Sequence, residues 1–134
     1  MIRYMLDTNM IAYAKNRRPL RVLEQLLRHE PSEIAISSIT MAELEYGIQN
    51  SSRPEQNRIA LMMFLAGISI LPFDAGAALE YGDIRCKLKT QGIIIGGNDM
   101  LIAAHARSQG LTLVTHNTRE FSRVDDLQIE DWAS

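Results

Sequence analysis

The chain has 134 residues, 46% of them hydrophobic, and a formal net charge of −2. That length suits one core and a single domain over residues 1–134, and the mild acidity excludes a generally basic nucleic-acid coat while leaving room for local basic patches. One cysteine, Cys86, and three histidines exclude an intramolecular disulfide and the usual closed zinc site, and with an acid already at Asp7 and no apolar run near ~18 residues, a cytoplasmic chain without signal peptide or membrane contact is expected.

The first run, Ile2 to Leu6, reads as a strand that stops at Asp7. Thr8-Asn9 then opens a short helix with Met10, Ile11 and Ala14 at helical spacing. Asn16-Arg17-Arg18-Pro19 breaks the pattern, and Leu20, Leu23, Leu26 and Leu27 line one face of the next helix, which ends at Pro31-Ser32. Ile34-Ala35-Ile36 is the second strand, and Ser37-Ser38 opens a helix that contains Glu43. A polar break from Gln49 to Pro54 joins it to a second helix around Ile59 to Leu65. Ile68 to Leu71 forms the third strand. Asp74 caps a longer helix whose inner face carries Ala77, Ala78, Tyr81, Ile84 and Leu88, and Gly92 ends it.

Ile93-Ile94-Ile95 has strand-forming residues, yet Gly96-Gly97-Asn98 marks the segment as a connection. Asp99 falls in the first turn of a helix whose Ala103, Ala104 and Ala106 permit close packing on a sheet. Gly110 closes that helix. Leu111 to Val114 is a buried strand with Asn117 just beyond it, and Leu127-Gln128-Ile129 is a last strand that Trp132 can anchor. Alternating strands and helices predict an α/β fold, with a mainly parallel central sheet covered on both faces.

Parallel sheets bind ligands beyond the carboxyl ends of their strands, where Asp7 and Asn117 fall. Glu43 and Asp99 approach from adjoining helices. Asp7 is also a natural helix cap, so position alone leaves a purely structural role open. Three carboxylates in one pocket repel one another and take up protons unless a cation compensates them. Oxygen donors without Cys or His suit Mg²⁺ or Mn²⁺. Such an ion binds a phosphate oxygen, activates water and neutralises the leaving oxygen, which together make phosphodiester hydrolysis.

Four ordered segments, Met5-Leu6-Asp7-Thr8-Asn9, Ser38 to Leu44, Gly96-Gly97-Asn98-Asp99 and Val114-Thr115-His116-Asn117, resemble PIN-domain ribonucleases, most closely VapC toxins. The likeness spans essentially the whole chain, through Arg119-Glu120-Phe121 and Glu130-Asp131-Trp132. It implies an α/β/α sandwich, a Mg²⁺- or Mn²⁺-dependent endoribonuclease, and neutralisation by a cognate VapB-type antitoxin. It also implies a toxin homodimer and a toxin–antitoxin hetero-oligomer, with the anticodon loop of initiator tRNA as the first substrate to test. Carried over by position, Asp7 and Asp99 are the principal metal ligands, Glu43 completes the acidic pocket or orients water, and Asn117 is an accessory ligand. Many PIN domains have Asp at this last position. Glu120 can supply the missing carboxylate if a helix begins near Asn117.

Other residues have plainer roles. Glu45 faces a different direction from Glu43 and reads as a solvated charge. His105 reads as a packed histidine, and His116 stays outside the catalytic set because a metal-activated water needs no histidine base. Met62 and Met63 read most simply as core, with an apolar surface for a dimer mate or antitoxin helix as the alternative. Two basic groups, Lys15/Arg17/Arg18/Arg21 and Arg85/Lys87/Lys89, are candidates for phosphate contact, and Arg85 is the better individual one. The competing function is a non-catalytic RNA-binding or operon-regulating partner, although a passive binder gains nothing from acids where phosphate would lie. A haloacid-type phosphatase is disfavoured because Asn9 stands where that class has a second Asp.

Overall fold

The computed structural model describes all residues, 1–134. Its five strands are β1 (Tyr4–Leu6), β2 (Ile34–Ser37), β3 (Ser69–Leu71), β4 (Thr112–Val114) and β5 (Ile129–Glu130). They form one sheet in the order β3-β2-β1-β4-β5, and every pairing is parallel. Seven helices connect them: α1 (Thr8–Asn16), α2 (Leu20–Leu26), α3 (Ser38–Gln49), α4 (Pro54–Phe64), α5 (Ala75–Thr90), α6 (Gly97–Ser108) and α7 (Thr118–Phe121). The mainly parallel sheet expected from the sequence is wholly parallel.

Strand order explains the two layers. From β1 to β3 the chain steps in one direction, and right-handed crossovers put α1–α4 on one face. It then returns past β1 to reach β4, so the crossover through α5 and α6 lies on the other face. Side chains alternate accordingly. Tyr4 and Leu6 join Met10, Ile11, Val22, Ile48 and Leu61 in one core, while Met5 and Leu113 join Ile84, Ile102, Ala103 and Phe121 in the other.

Three expectations about faces need correction. In α2 the buried positions are Val22 and Leu26, whereas Leu20 and Leu27 are exposed. The buried stripe runs through Val22 and Leu26 with Leu23 partly buried beside them, because this side of α2 packs on α1 and the core it covers. In α5, Ala78 is exposed beside buried Ala77. Met62 and Met63 are largely exposed, and only Leu61 of α4 is buried. α4 packs on α3 along one narrow edge, which leaves its methionines an apolar surface.

Turns fall where the residue types require. Gly67, Gly92 and Gly110 all have positive φ, a region that glycine enters without a Cβ penalty. Gly67 is tightest, because a Cβ there would meet Pro31 Cβ at 3.0 Å. The Ile93–Ile95 stretch is a connection and not a strand. Trp132 is buried, stacks on His29 and meets Tyr4 edge-on, which ties the last strand's extension to β1.

A buried polar link joins the two layers. Ser37, at the end of β2, accepts the Ile39 backbone N–H at 3.0 Å as the cap of α3, and His105 Nδ1 of α6 lies 2.7 Å from the same hydroxyl. Both residues are fully buried. Burial holds the His105 imidazole below its usual pKa and therefore neutral. Ser37→Ala removes a helix cap and leaves a buried ring nitrogen unpaired, an expected loss of about 2–3 kcal/mol. Urea denaturation should show it as a lower midpoint with unchanged slope, and an unchanged midpoint would contradict the link.

Candidate active site

The switch point of the sheet lies between β1 and β4, the adjacent strands from which the chain departs in opposite directions. Asp7 follows β1 directly, and its backbone N–H bonds the Val114 carbonyl of β4 at 3.1 Å. Ligand crevices form at such points because the flanking connections diverge to opposite faces.

Asp7 is first a helix cap. Its Oδ1 accepts the Met10 backbone N–H at 2.8 Å, which makes it the cap of α1. The structural role is therefore real, yet it does not account for the residue's surroundings. Asp7 is only 6% exposed, and burial pushes its carboxyl up to about 6. Hydrogen bonds from the Thr115 hydroxyl and Met10 resist that rise, while the nearby charges of Asp99 and Glu43 add to it. A cap alone needs no second and third carboxylate.

Asp99 stands in the first turn of α6, half-buried, and its pKa is also raised, first by burial and then by the charges of Glu120 and Glu43. Glu43 reaches in from α3, where its Oε1 accepts the Thr8 hydroxyl at 2.5 Å. Asn117 lies at the end of the β4 segment, and its backbone N–H bonds Thr115 Oγ1 at 3.0 Å. Its side-chain Nδ2 donates to Glu120 Oε2 at 2.9 Å, with Asn117 as the residue preceding α7. Mutual charge effects thus link Asp7, Glu43, Asp99 and Glu120, and Asn117 bonds the last of them.

Thr115 and Thr8 extend the set read from sequence, and Glu120 stands near Asp99 on the helix that begins after Asn117. Thr115 is fully buried and bridges Asp7 to Asn117, a role marked in the chain only by its place between the strand and Asn117. Glu120's signal was its spacing, three residues after Asn117 on a helix start. Glu45 turns away, and its carboxylate accepts bonds from Arg58 of α4. His116 is exposed and bonds Asp131 at 2.9 Å. It makes no contact with the acids in this structure.

The donors are all oxygen, which suits a hard divalent cation. They form an open arrangement and not a closed cage, for no three Asp, Glu, His or Cys side chains converge tightly enough to enclose an ion by themselves. Mg²⁺ fits that openness, because it keeps several waters and is commonly held by one or two carboxylates. A crevice of about 480 Å³ lined by Thr8, Ile39, Glu43, Tyr46 and Asn98 opens at Glu43, between the starts of α1 and α6.

An all-parallel sheet with carboxylates at its switch point defines the class, and residues 4–127 match the model of the PIN domain. The chain is 46% identical over 132 residues to "Ribonuclease VapC2" of Haemophilus influenzae, covering 98% of this chain and 99% of the relative. It is 43% identical over 133 residues to "tRNA(fMet)-specific endonuclease VapC" of Shigella flexneri, covering 99% of this chain and all of the relative. Among solved structures, a chain of VapBC2 from Rickettsia felis bound to a promoter DNA fragment superposes with a TM-score of 0.89 at 44% identity, covering 98% of this chain and 99% of that one. A chain of DNA-bound VapBC from Salmonella typhimurium gives 0.92 at 39%, with the same coverage. The chain belongs to the PIN-domain family, among its VapC ribonucleases.

Proposed function

We propose that this protein is the toxin of a VapBC-type toxin–antitoxin pair, a divalent-metal-dependent endoribonuclease in which residues 1–134 act as one domain. The observation that carries the reading is the grouping of Asp7, Glu43 and Asp99 around the switch point, near enough that the charges of Asp99 and Glu43 add to the burial that raises the Asp7 carboxyl to about 6. Buried like charges destabilise a fold, and a bound cation offsets them.

Asp7 and Asp99 are assigned as the principal ligands, Glu43 as the group that completes the pocket or orients water, and Asn117 as an accessory oxygen donor. The metal, Mg²⁺ or Mn²⁺, supplies Lewis acidity and a more acidic bound water. Thr8 and Thr115 fix the orientation of Glu43 and Asp7. The Asn117 bond holds Glu120 toward Asp99, which gives the site a fourth carboxylate where Asn117 itself has no charge. Glu120→Gln is expected to lower kcat/KM about 10²-fold, which is about 2.7 kcal/mol. The effect should shrink in a fixed excess of metal if Glu120 acts on metal affinity. Equal cleavage by the variant would remove Glu120 from the site.

The substrate we assign is the anticodon loop of initiator tRNA, in keeping with the name of the Shigella relative. Unpaired loops expose base edges that duplex RNA hides. The partners are a VapB-type antitoxin and a second toxin copy, and the location is the cytoplasm. No helix is long and apolar enough to cross a membrane. Purified protein should cut tRNA after Mg²⁺ or Mn²⁺ is added to a chelated preparation, and sequencing of the RNA ends should place one cut in that loop. Many unrelated cuts would refute tRNA specificity. RNA retention with no metal-dependent cleavage would favour the non-catalytic, operon-regulating reading.

A further inference from the structure

A second pocket, about 370 Å³, lies between the C-terminal turn of α5 and the first turn of α6. Arg85, Leu88, Lys89, Ile93, Ile94 and Met100 line it. Its placement follows from the Ile93–Ile95 connection, which reverses the chain and brings the end of α5 beside the start of α6. Met100 immediately follows Asp99, so the pocket and the acidic site both draw on the first turn of α6, from faces about 100° apart.

Its chemistry is two-sided. Leu88, Ile93, Ile94 and Met100 form an apolar floor, and Ile94 is 82% exposed. Two cations stand at the rim. Of the three in this stretch, Lys87 pairs with Asp83 at 3.3 Å, whereas Arg85 and Lys89 have no carboxylate partner. The Arg85 guanidinium is held in place: its Nη1 donates to Tyr81 Oη at 2.9 Å, and its Cζ lies 6.0 Å from the Tyr81 ring centre. A fixed planar cation beside an aliphatic surface complements a ligand that has both an anionic backbone and a flat apolar face.

We propose that this pocket seats one unpaired RNA nucleotide next to the bond being cut, with Arg85 and Lys89 on its phosphates and Ile93, Ile94 and Met100 against its base. The proposal rests on the nuclease reading and deepens it. Repulsion between RNA phosphates and the acids makes flanking cations necessary for binding, and guanidinium planes and apolar side chains hold unstacked bases. The floor offers no hydrogen-bonding side chain, so the pocket is tolerant of base identity. It sets the register of the strand and leaves sequence choice to other contacts.

The test uses Arg85→Gln/Lys89→Gln and, separately, Ile94→Asp, all at exposed positions, with a short single-stranded RNA that the parent protein cuts. The loss in kcat/KM should lie mainly in KM, about tenfold for each variant. The slope of log KM against log salt should fall by about 1.4 in the double variant, since each single-strand phosphate contact contributes about 0.7. Unchanged KM and salt slope would overturn the proposal. A weakened complex with a protein partner, or an altered oligomeric state, with KM unchanged would likewise overturn it and assign the pocket to protein. Should the parent cut no RNA, the nuclease reading itself fails, and fluorescence anisotropy with the same RNA judges the pocket separately. Weaker binding by the double variant would then support it, and equal binding would reject it.

Discussion

Asp7→Asn should lower the rate of RNA cleavage about 10³-fold or more while leaving the fold intact. Asparagine is as good a helix cap as aspartate, so the 2.8 Å bond to the Met10 N–H has a direct replacement. The charge is what disappears. An ion at a phosphoryl centre supplies several kcal/mol of transition-state stabilisation, and about 4 kcal/mol corresponds to 10³ in rate. Single-turnover cleavage of tRNA by both proteins, with circular dichroism as the control for folding, measures the effect. Cleavage within tenfold of the parent would show that Asp7 is a structural cap and nothing more.

The same substitution should stabilise the metal-free protein. Asp7 ionises near pH 6 in the folded chain, against an ordinary value of 3.8. The folded state therefore binds the proton more tightly than the unfolded state does, and stability declines as pH rises through the interval between those values. Fully developed, the penalty is about 3 kcal/mol. About half is present at pH 5 and nearly all by pH 8, by the same linkage. The variant should therefore melt higher than the parent in chelator, by about 10 °C at pH 8 and by about half that at pH 5. The difference between the two proteins isolates Asp7 from His105, whose lowered pKa acts in the opposite sense by favouring the fold as pH rises. Millimolar Mg²⁺ should raise the parent's melting temperature and narrow the gap. A variant that melts lower than the parent at pH 8 in chelator would contradict the burial argument.

The two results are linked by one physical cause. A carboxylate held out of water beside Asp99 and Glu43 weakens the fold, and a cation bound there would offset that cost. Function and stability diverge at this residue, as they commonly do at catalytic positions.

Much of this was legible in the chain because each acid has a local marker. Asp7 ends an apolar run, Asp99 opens an alanine-rich helix, and Asn117 follows a strand, so a parallel sheet places all three at one edge. Glu43 lacks such a marker, and residue order within the resembling segment selected it over Glu45. The pairing of Glu45 with Arg58 gives the reason it points elsewhere. The Thr115 bridge was not legible, since a threonine after a strand is common and its bonds depend on a turn that only the folded chain shows. Faces were harder than elements. The leucines of α2 and the methionines of α4 have helical spacing, but neighbouring elements decide which stripe is buried. Ile93–Ile95 shows the opposite lesson, for flanking glycines outweighed three strand-forming residues.

In the proposed mechanism Asp7 and Asp99, from opposite layers of the sheet, hold one divalent ion between them. A crystal grown or soaked with Mn²⁺, measured at the manganese absorption edge, tests it directly. An anomalous peak is expected within about 2.1 Å of a carboxylate oxygen of each residue. A well-ordered crystal with no peak there, or with manganese bound only elsewhere, would contradict it.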